Sequence, residues 1–366
     1  MKYDYLIIGA GLFGSVFAQQ ATANGKSVLV IEKRDHIGGN CYTKDIEGIN
    51  VHYYGAHIFH TSNLDIWNYV NRFVKFNNYK HQVIANYKGD YYSLPFNMWT
   101  FNKMWNVTTP EGALSKIKEQ TFSGLAQNLE EKAISLVGKD LYEKLIKGYT
   151  KKQWKKDPKQ LPAFIIERLP VRFTYDNNYY FDSYQGIPEN GYTELFIKLL
   201  DRTEVKLEID YFSNRKYWNS VAKKIIYTGP LDQFYNYKFG TLDYISLKFD
   251  HRIIKKENFQ GNSVINFTDE QVPYTRIIEH KHFYNINSKS TAITYEYPIE
   301  YNKNEIPYYP INDDHNKEIF KKYKSIADQE SNIIFGGRLA EYRYYDMHQV
   351  IASAIHKFNN ENKICN

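Results

Sequence analysis

Tyr3-Asp4-Tyr5-Leu6-Ile7-Ile8 opens the chain as a short β-rich run ending at Gly9, and the residues after it read as a helix closing at Asn24-Gly25. Glycine just past a helix end suits the left-handed position there. Val28-Leu29-Val30-Ile31 follows as an uninterrupted apolar run, the pattern of a strand buried on both faces of a parallel sheet, and Glu32 ends it. Together the three segments form a βαβ unit. From Thr109 to Gly148 the pattern predicts several short helices: Thr109-Pro110 supplies an N-cap and a first-turn proline, Asn128 has Glu131 three residues on, Asp140 has Glu143, and Gly138 and Gly148 are placed to close the last two. Alternating or β-rich runs return at 205–212, 263–267 and 292–297, with Ile225-Ile226-Tyr227 before the breaker Gly229-Pro230, and predict a partly antiparallel sheet. Near the end, Ile333-Ile334-Phe335 leads through Gly336-Gly337-Arg338 to a helix starting near Asp346, with Val350, Ile351 and Ala354 on one face. Strand, glycine turn and helix thus occur twice.

A chain of 366 residues suggests two or three domains. With 47 Lys and Arg against 41 Asp and Glu, the net charge of +6 describes a mildly basic surface, which suits an anionic small ligand and argues against nucleic acid as partner. The two cysteines, Cys41 and Cys365, lie too far apart in sequence and context to build a disulfide framework or a Cys-based metal site, so no metal and a reducing compartment are expected. No apolar run reaches the ~18–20 residues that cross a bilayer. The early stretch 5–18 is interrupted by glycines and preceded by Asp4, unlike a signal peptide, so a cytoplasmic protein without a membrane partner is the expectation. The 34 Tyr, 22 Phe and 5 Trp supply abundant amphipathic area, and the Lys151-Lys152, Lys155-Lys156 run reads as a solvated face.

Gly9-Ala10-Gly11-Leu12-Phe13-Gly14 fits G-x-G-x-x-G in the context that gives the pattern its meaning: after a strand, opening a helix, with the acid Glu32 about 20 residues on. Gly9 permits the tight turn, Gly11 lets the backbone approach a pyrophosphate, Gly14 lets helix meet strand, and Glu32 would accept from ribose hydroxyls. Arg34 with Gly38-Gly39-Asn40 argues for FAD. So does the late Gly336-Gly337-Arg338, since a chain that wraps FAD commonly returns to it, with a final helix near Asp346-Met347 facing the flavin. A second fingerprint for a separate NAD(P)H domain is absent from the sequence.

Gly38-Gly39-Asn40, Tyr54-Gly55-Ala56-His57-Ile58-Phe59-His60-Thr61, Lys147-Gly148-Tyr149-Thr150 with Gln153-Trp154, Leu161-Pro162-Ala163, Pro170-Val171-Arg172-Phe173, Val272-Pro273-Tyr274-Thr275-Arg276 and Gly337-Arg338-Leu339 occur in this order. Over essentially its full length the sequence resembles the bacterial UDP-galactopyranose mutase family. The resemblance implies an isomerase interconverting UDP-galactopyranose and UDP-galactofuranose on FAD. The flavin must be reduced, by an electron donor the sequence does not identify, and its N5 attacks the sugar anomeric carbon. It also implies that Arg172 and Arg276 bind the diphosphate and share the catalytic role with His60. By the same resemblance Tyr149 and Trp154 match residues that hold the uridine, Thr150 is a further substrate-binding residue, Tyr184, Tyr309 and Tyr344 match phenols near the diphosphate, and Asn266 a residue near the sugar. For the cofactor it implies Gly9, Gly11, Phe13, Gly14, Glu32, Lys33, Gly39, Asn40, His57, Arg338, Asp346 and Met347. Where better-known bacterial members carry an arginine this chain has Ile245, with Arg252 nearby but out of register.

The expected fold is α/β: a Rossmann-like FAD-binding domain made from 1–75, 190–240 and 315–366, a helical domain at 97–160, and an antiparallel sheet domain made from 76–96, 161–189 and 241–314, with a substrate lid near 168–182. A homodimer is expected. The residues alone also accommodate an FAD-dependent oxidase or dehydrogenase of a small organic substrate, or a non-catalytic nucleotide-sugar binding protein.

Overall fold

The computed structural model describes residues 1–366 apart from 122–123, 167–168, 285, 304 and 366. The chain forms two compact units. One is made from Met1–Asn78, Asp182–Tyr244 and Tyr309–Asn366, the other from Tyr79–Phe181 and Ile245–Tyr308.

The first unit is built on a five-stranded sheet in the order Ile333–Phe335, Ala222–Tyr227, Tyr3–Ile8, Val28–Ile31, Glu204–Lys206, with every neighbouring pair parallel. The four residues of Val28–Ile31 are all buried, as an apolar run in a covered parallel sheet requires. Helix Leu12–Ala23 packs through Phe17 on Phe358 of the final helix Met347–Cys365, ring centroids 5.5 Å apart. Gly25, just past the first helix, takes the left-handed φ of 73° its position predicts. The run at 205–212 is strand only over Glu204–Lys206, because Glu208 turns to φ 57° and Asp210 caps a short 3-10 turn at Tyr211–Asn214.

The second unit holds six strands of a mostly antiparallel seven-stranded sheet whose edge strand is Tyr309–Pro310; they run Tyr244–Ile254, Thr291–Glu300, Arg276–Glu279, Val264–Phe267, Val83–Tyr87, Asp90–Leu94, with one parallel pair between Val264–Phe267 and Val83–Tyr87. The helices between 97 and 160 cluster in this same unit, and residues 76–78, 182–189, 241–244 and 309–314, read from sequence as part of the sheet domain, cluster with the first. Thr109 and Asn128 cap helices Pro110–Lys118 and Leu129–Val137 through their side chains. Two helix signals read differently in three dimensions. Asp140 is no cap; its carboxylate instead accepts from Trp105 Nε1 and Gln120 Nε2, both at 2.9 Å. Gly148 does not close a helix but continues one, Gly148–Trp154, and a Cβ there would lie 2.4 Å from the Thr268 carbonyl oxygen, so close backbone approach is what requires the glycine. Among the described residues no helix is long and apolar enough to cross a membrane.

Candidate functional site

In the first unit the fingerprint glycines sit where their geometry demands them. Gly9 has φ 108° and donates to the Ile31 carbonyl at 2.8 Å; a Cβ at Gly14 would stand 2.1 Å from the Gly9 carbonyl oxygen. Gly39, at φ 54°, brings its backbone against Gly11, where a Cβ would meet the Gly11 Cα at 3.0 Å. Two bare backbones thus face each other at a helix N-terminus, a cradle any side chain would fill. Glu32 is buried and accepts from the amides of Ala10 at 2.9 Å and Arg34 at 3.0 Å, so its carboxylate also fixes the turn. Arg34 reaches Asn40 Oδ1 at 2.9 Å and lies over the Tyr54 ring, while its Nη1 is buried without a hydrogen-bond partner among the described residues. These features fit a dinucleotide. Lys33 is exposed, and Phe13 fills the space beside Gly336, where a Cβ would meet its ring at 2.0 Å.

The same unit gathers the other residues expected at the cofactor. His57 donates from Nδ1 to the Gly55 carbonyl at 2.8 Å, and burial, assisted by Arg338, pushes it down to about 4, so it is neutral. Arg338 donates to the Tyr345 carbonyl and lies 5.2 Å from the Tyr344 ring centre; Tyr344 stacks on Tyr309. Met347 touches Cys41, Sγ to Sδ 3.7 Å, and burial raises that thiol to about 12. Tyr184 stacks on Trp67 at 5.5 Å. His60, on strand Phe59–Thr61, pairs through Nδ1 with Asp182 Oδ2 at 2.6 Å, and its ring meets that of His348 edge-on at 5.5 Å. His60, Asp346 and His348 present ligand-type atoms within 4.8 Å of one another.

Strand register builds the site of the second unit. Asn266 lies opposite Arg276, and Arg276 opposite Glu296, so the three side chains stand in a row on one sheet face. Arg276 Nε is 3.1 Å from Glu296 Oε1, and its Nη2 donates to the Tyr149 hydroxyl at 2.5 Å. Burial raises Glu296 against the pull of Arg276, and burial raises Tyr149 to about 12. The Asn266 Oδ1 is buried with no partner among the described residues. Thr150 is buried and Trp154 partly so on the same short helix. Lys152 departs from the solvated face read for its charge run: it is 7 % exposed and its ammonium donates to the carbonyls of Phe267 at 2.7 Å and Tyr274 at 2.9 Å, burial lowering it to about 8.

Arg172 is engaged by its own loop. Its Nη1 donates to Asp176 Oδ2 at 2.9 Å and to the Asn178 carbonyl, its Nη2 to the Tyr180 carbonyl at 3.1 Å, and its guanidinium lies over the Phe181 ring. Position 168, the expected start of the lid, lies outside the described residues.

A sequence profile described as UDP-galactopyranose mutase matches residues 144–344, and an NAD(P)-binding Rossmann-like profile matches residues 7–73. The chain belongs to the UDP-galactopyranose mutase family. A probable UDP-galactopyranose mutase of Klebsiella pneumoniae is 42 % identical, over 96 % of this chain and 93 % of that one. A dTDP-fucopyranose mutase of Escherichia coli is 41 % identical, over 96 % of each. A crystal structure of reduced UDP-galactopyranose mutase, at 14 % identity, shares the fold with a TM-score of 0.77 over 100 % of this chain and 94 % of that one. This mutase-family chain is therefore an isomerase with the α/β, Rossmann-containing architecture its sequence predicts.

Arg252 does not share the surroundings of Ile245. It lies seven residues along the same strand, about 23 Å at ~3.3 Å per residue and on the opposite face, where it pairs with Asp250 at 2.5 Å. Ile245 itself is 3 % exposed. Sequence reading missed Glu296 and Asp182. Glu296 sits in an alternating strand that announces only its pattern, and Asp182 in a loop whose partner, His60, is 122 residues away.

Proposed function

We propose that this mutase-family chain interconverts UDP-galactopyranose and UDP-galactofuranose, with FAD as its cofactor in the reduced state. The observation that carries the substrate class is Arg276, a guanidinium oriented by Glu296 and Tyr149, beside a buried and unpartnered Asn266 amide oxygen. Such a fork suits a diphosphate. When bound, reduced flavin would supply the nucleophile, N5, for the sugar anomeric carbon, which is why no protein nucleophile is required. The residues of the chain then have separate tasks. Gly9, Gly11, Gly14, Glu32 and Gly39 hold the dinucleotide, with Arg34 and Asn40 beside them, and Arg338 offsets negative charge on the reduced ring. Tyr149, Thr150 and Trp154 hold the base. Arg276, and Arg172 once it releases its loop carbonyls, balance the charge of the departing nucleoside diphosphate, and Tyr184, Tyr309 and Tyr344 contribute hydroxyls to it. His60 holds and moves a proton.

The E. coli relative gives a specific reason to carry a second substrate, dTDP-fucopyranose, since its identity to this chain equals that of the UDP-galactopyranose relative to within one per cent. The test is chromatography of both nucleotide sugars with enzyme reconstituted with FAD, with and without dithionite. Conversion of UDP-galactofuranose by the reduced protein alone is expected. Equal turnover by fully oxidised protein would defeat the mechanism, and preferential conversion of the deoxythymidine sugar would reassign the substrate.

A further inference from the structure

His60 and Asp182 meet because strand Phe59–Thr61 pairs antiparallel with Tyr184–Gly186, placing His60 opposite Gln185 and delivering Asp182 at the entrance to the second strand. Both carboxylate oxygens of Asp182 are engaged: Oδ2 with His60 Nδ1 at 2.6 Å, and Oδ1 accepting from Ser62 Oγ at 2.8 Å. Ser62 in turn accepts from the Ser183 amide at 3.3 Å. The His60 side chain is 12 % exposed and that of Asp182 24 %. An ionised carboxylate can only accept, so the proton between the two groups belongs to Nδ1 of the ring. Partial burial pulls the Asp182 carboxyl upward, but the hydrogen bonds from His60 and Ser62 outweigh it and hold the group below the usual carboxylate range.

We propose that Asp182 is a positioning residue for the isomerisation: it fixes the His60 proton on Nδ1 and thereby makes Nε2 the atom that gives a proton to the sugar and recovers one. The inference rests on the mutase reading above. Changing a pyranose into a furanose requires one hydroxyl to lose a proton as it closes the new ring and the former ring oxygen to gain one. The pyranose opens before the furanose closes, so Nε2 gives a proton to the released ring oxygen first and recovers one from the closing hydroxyl afterwards; over the turnover the exchange balances, with no external acid, base or electron carrier. With the other neutral tautomer Nε2 would carry a hydrogen and could not take the proton. Asp182 further favours the imidazolium that gives the first proton, as a carboxylate behind a histidine does in other acid–base sites.

The test replaces Asp182 by Asn, which preserves shape but offers an NH2 to Nδ1. In FAD-loaded protein labelled with 15N-histidine, long-range proton–nitrogen correlation reads the His60 tautomer, the signal being assigned by its loss in His60→Gln. Wild type is expected to show hydrogen on Nδ1, and Asp182→Asn to move a substantial fraction to Nε2. In the reduced enzyme, kcat should fall at least ~10-fold, within what general acid–base groups contribute, while KM and bound FAD stay within about twofold of wild type. Asp182→Glu should recover part of the loss. If Asp182→Asn proves unstable, Ser62→Ala, which loosens the carboxylate without removing its charge, should give a smaller shift in the same direction. Hydrogen on Nε2 of the neutral ring in wild type, or an unchanged kcat in Asp182→Asn, overturns the proposal. Turnover of no nucleotide sugar by wild type would instead overturn the mutase reading, because the tautomer measurement needs no turnover.

Discussion

Arg276 is gripped from two sides, by a carboxylate behind it and a phenol beside it, and each grip has its own consequence. A charged hydrogen bond to phosphate is worth about 1.5–3 kcal/mol, so Arg276→Ala is expected to lower kcat/KM at least ~10-fold. The same change leaves the Glu296 carboxyl, 2 % exposed, without its counter-charge, and the protein should melt lower. Adding Glu296→Gln should restore much of the melting temperature and none of the activity. If the double variant melts no higher than the single, Glu296 is not the source of the loss. Arg276 and the fingerprint glycines were legible in the sequence because short contiguous motifs carry them. Glu296 and Asp182 were not, because each acquires its role from a partner brought in by strand pairing, which local sequence does not encode.

Asn97 shows how one cap organises an element and the loop beside it. Its Oδ1 accepts from the amides of Trp99 at 3.0 Å and Thr100 at 3.3 Å to start helix Met98–Trp105, while its Nδ2 donates to the Asp176 carbonyl at 3.0 Å and Asn177 Oδ1 at 2.8 Å. Asn97→Ala is expected to cost about 1–2 kcal/mol from the cap alone. It should also raise amide exchange across 173–180, the loop whose carbonyls hold Arg172; exchange there indistinguishable from wild type would show that the loop is held without the Asn97 side chain. At this scale the parallel strands Val28–Ile31, buried throughout, and Ile333–Phe335, half-buried at the sheet edge, were readable as apolar runs. The hairpin Val83–Tyr87 and Asp90–Leu94 was not: its aromatic and polar residues alternate imperfectly, and its turn relies on Lys88 at φ 52° before Gly89. Strand Tyr244–Ile254 escaped likewise, since its first four residues are buried on both faces and only later ones reach solvent.

Each of the two compact units carries a histidine held neutral by burial, and this gives the whole molecule an acid limit. Burial lowers His57 from 6.5 to about 4 and His280 from 6.5 to about 3, the latter helped by nearby His251. A base whose folded value is depressed contributes stability that is full above its unfolded value and is lost as pH falls toward the folded one. Stability should therefore decline from about pH 6.5 downward, every tenfold drop in a histidine's proton affinity on folding being worth about 1.4 kcal/mol at most. His280→Gln should flatten the dependence of melting temperature on pH between 6.5 and 4; curves parallel to wild type would place the acid sensitivity elsewhere. The division into two compact units also sets an order of manufacture. Tyr3–Ile8 pairs with Ala222–Tyr227, which pairs in turn with Ile333–Phe335, whereas every segment of the second unit has been translated by Tyr308. On the ribosome the second unit can pair all of its own strands while the first still awaits its last strand and its closing helix. The glycine turn at residues 9–14, among the first parts of the chain to be made, is among the last to be finished.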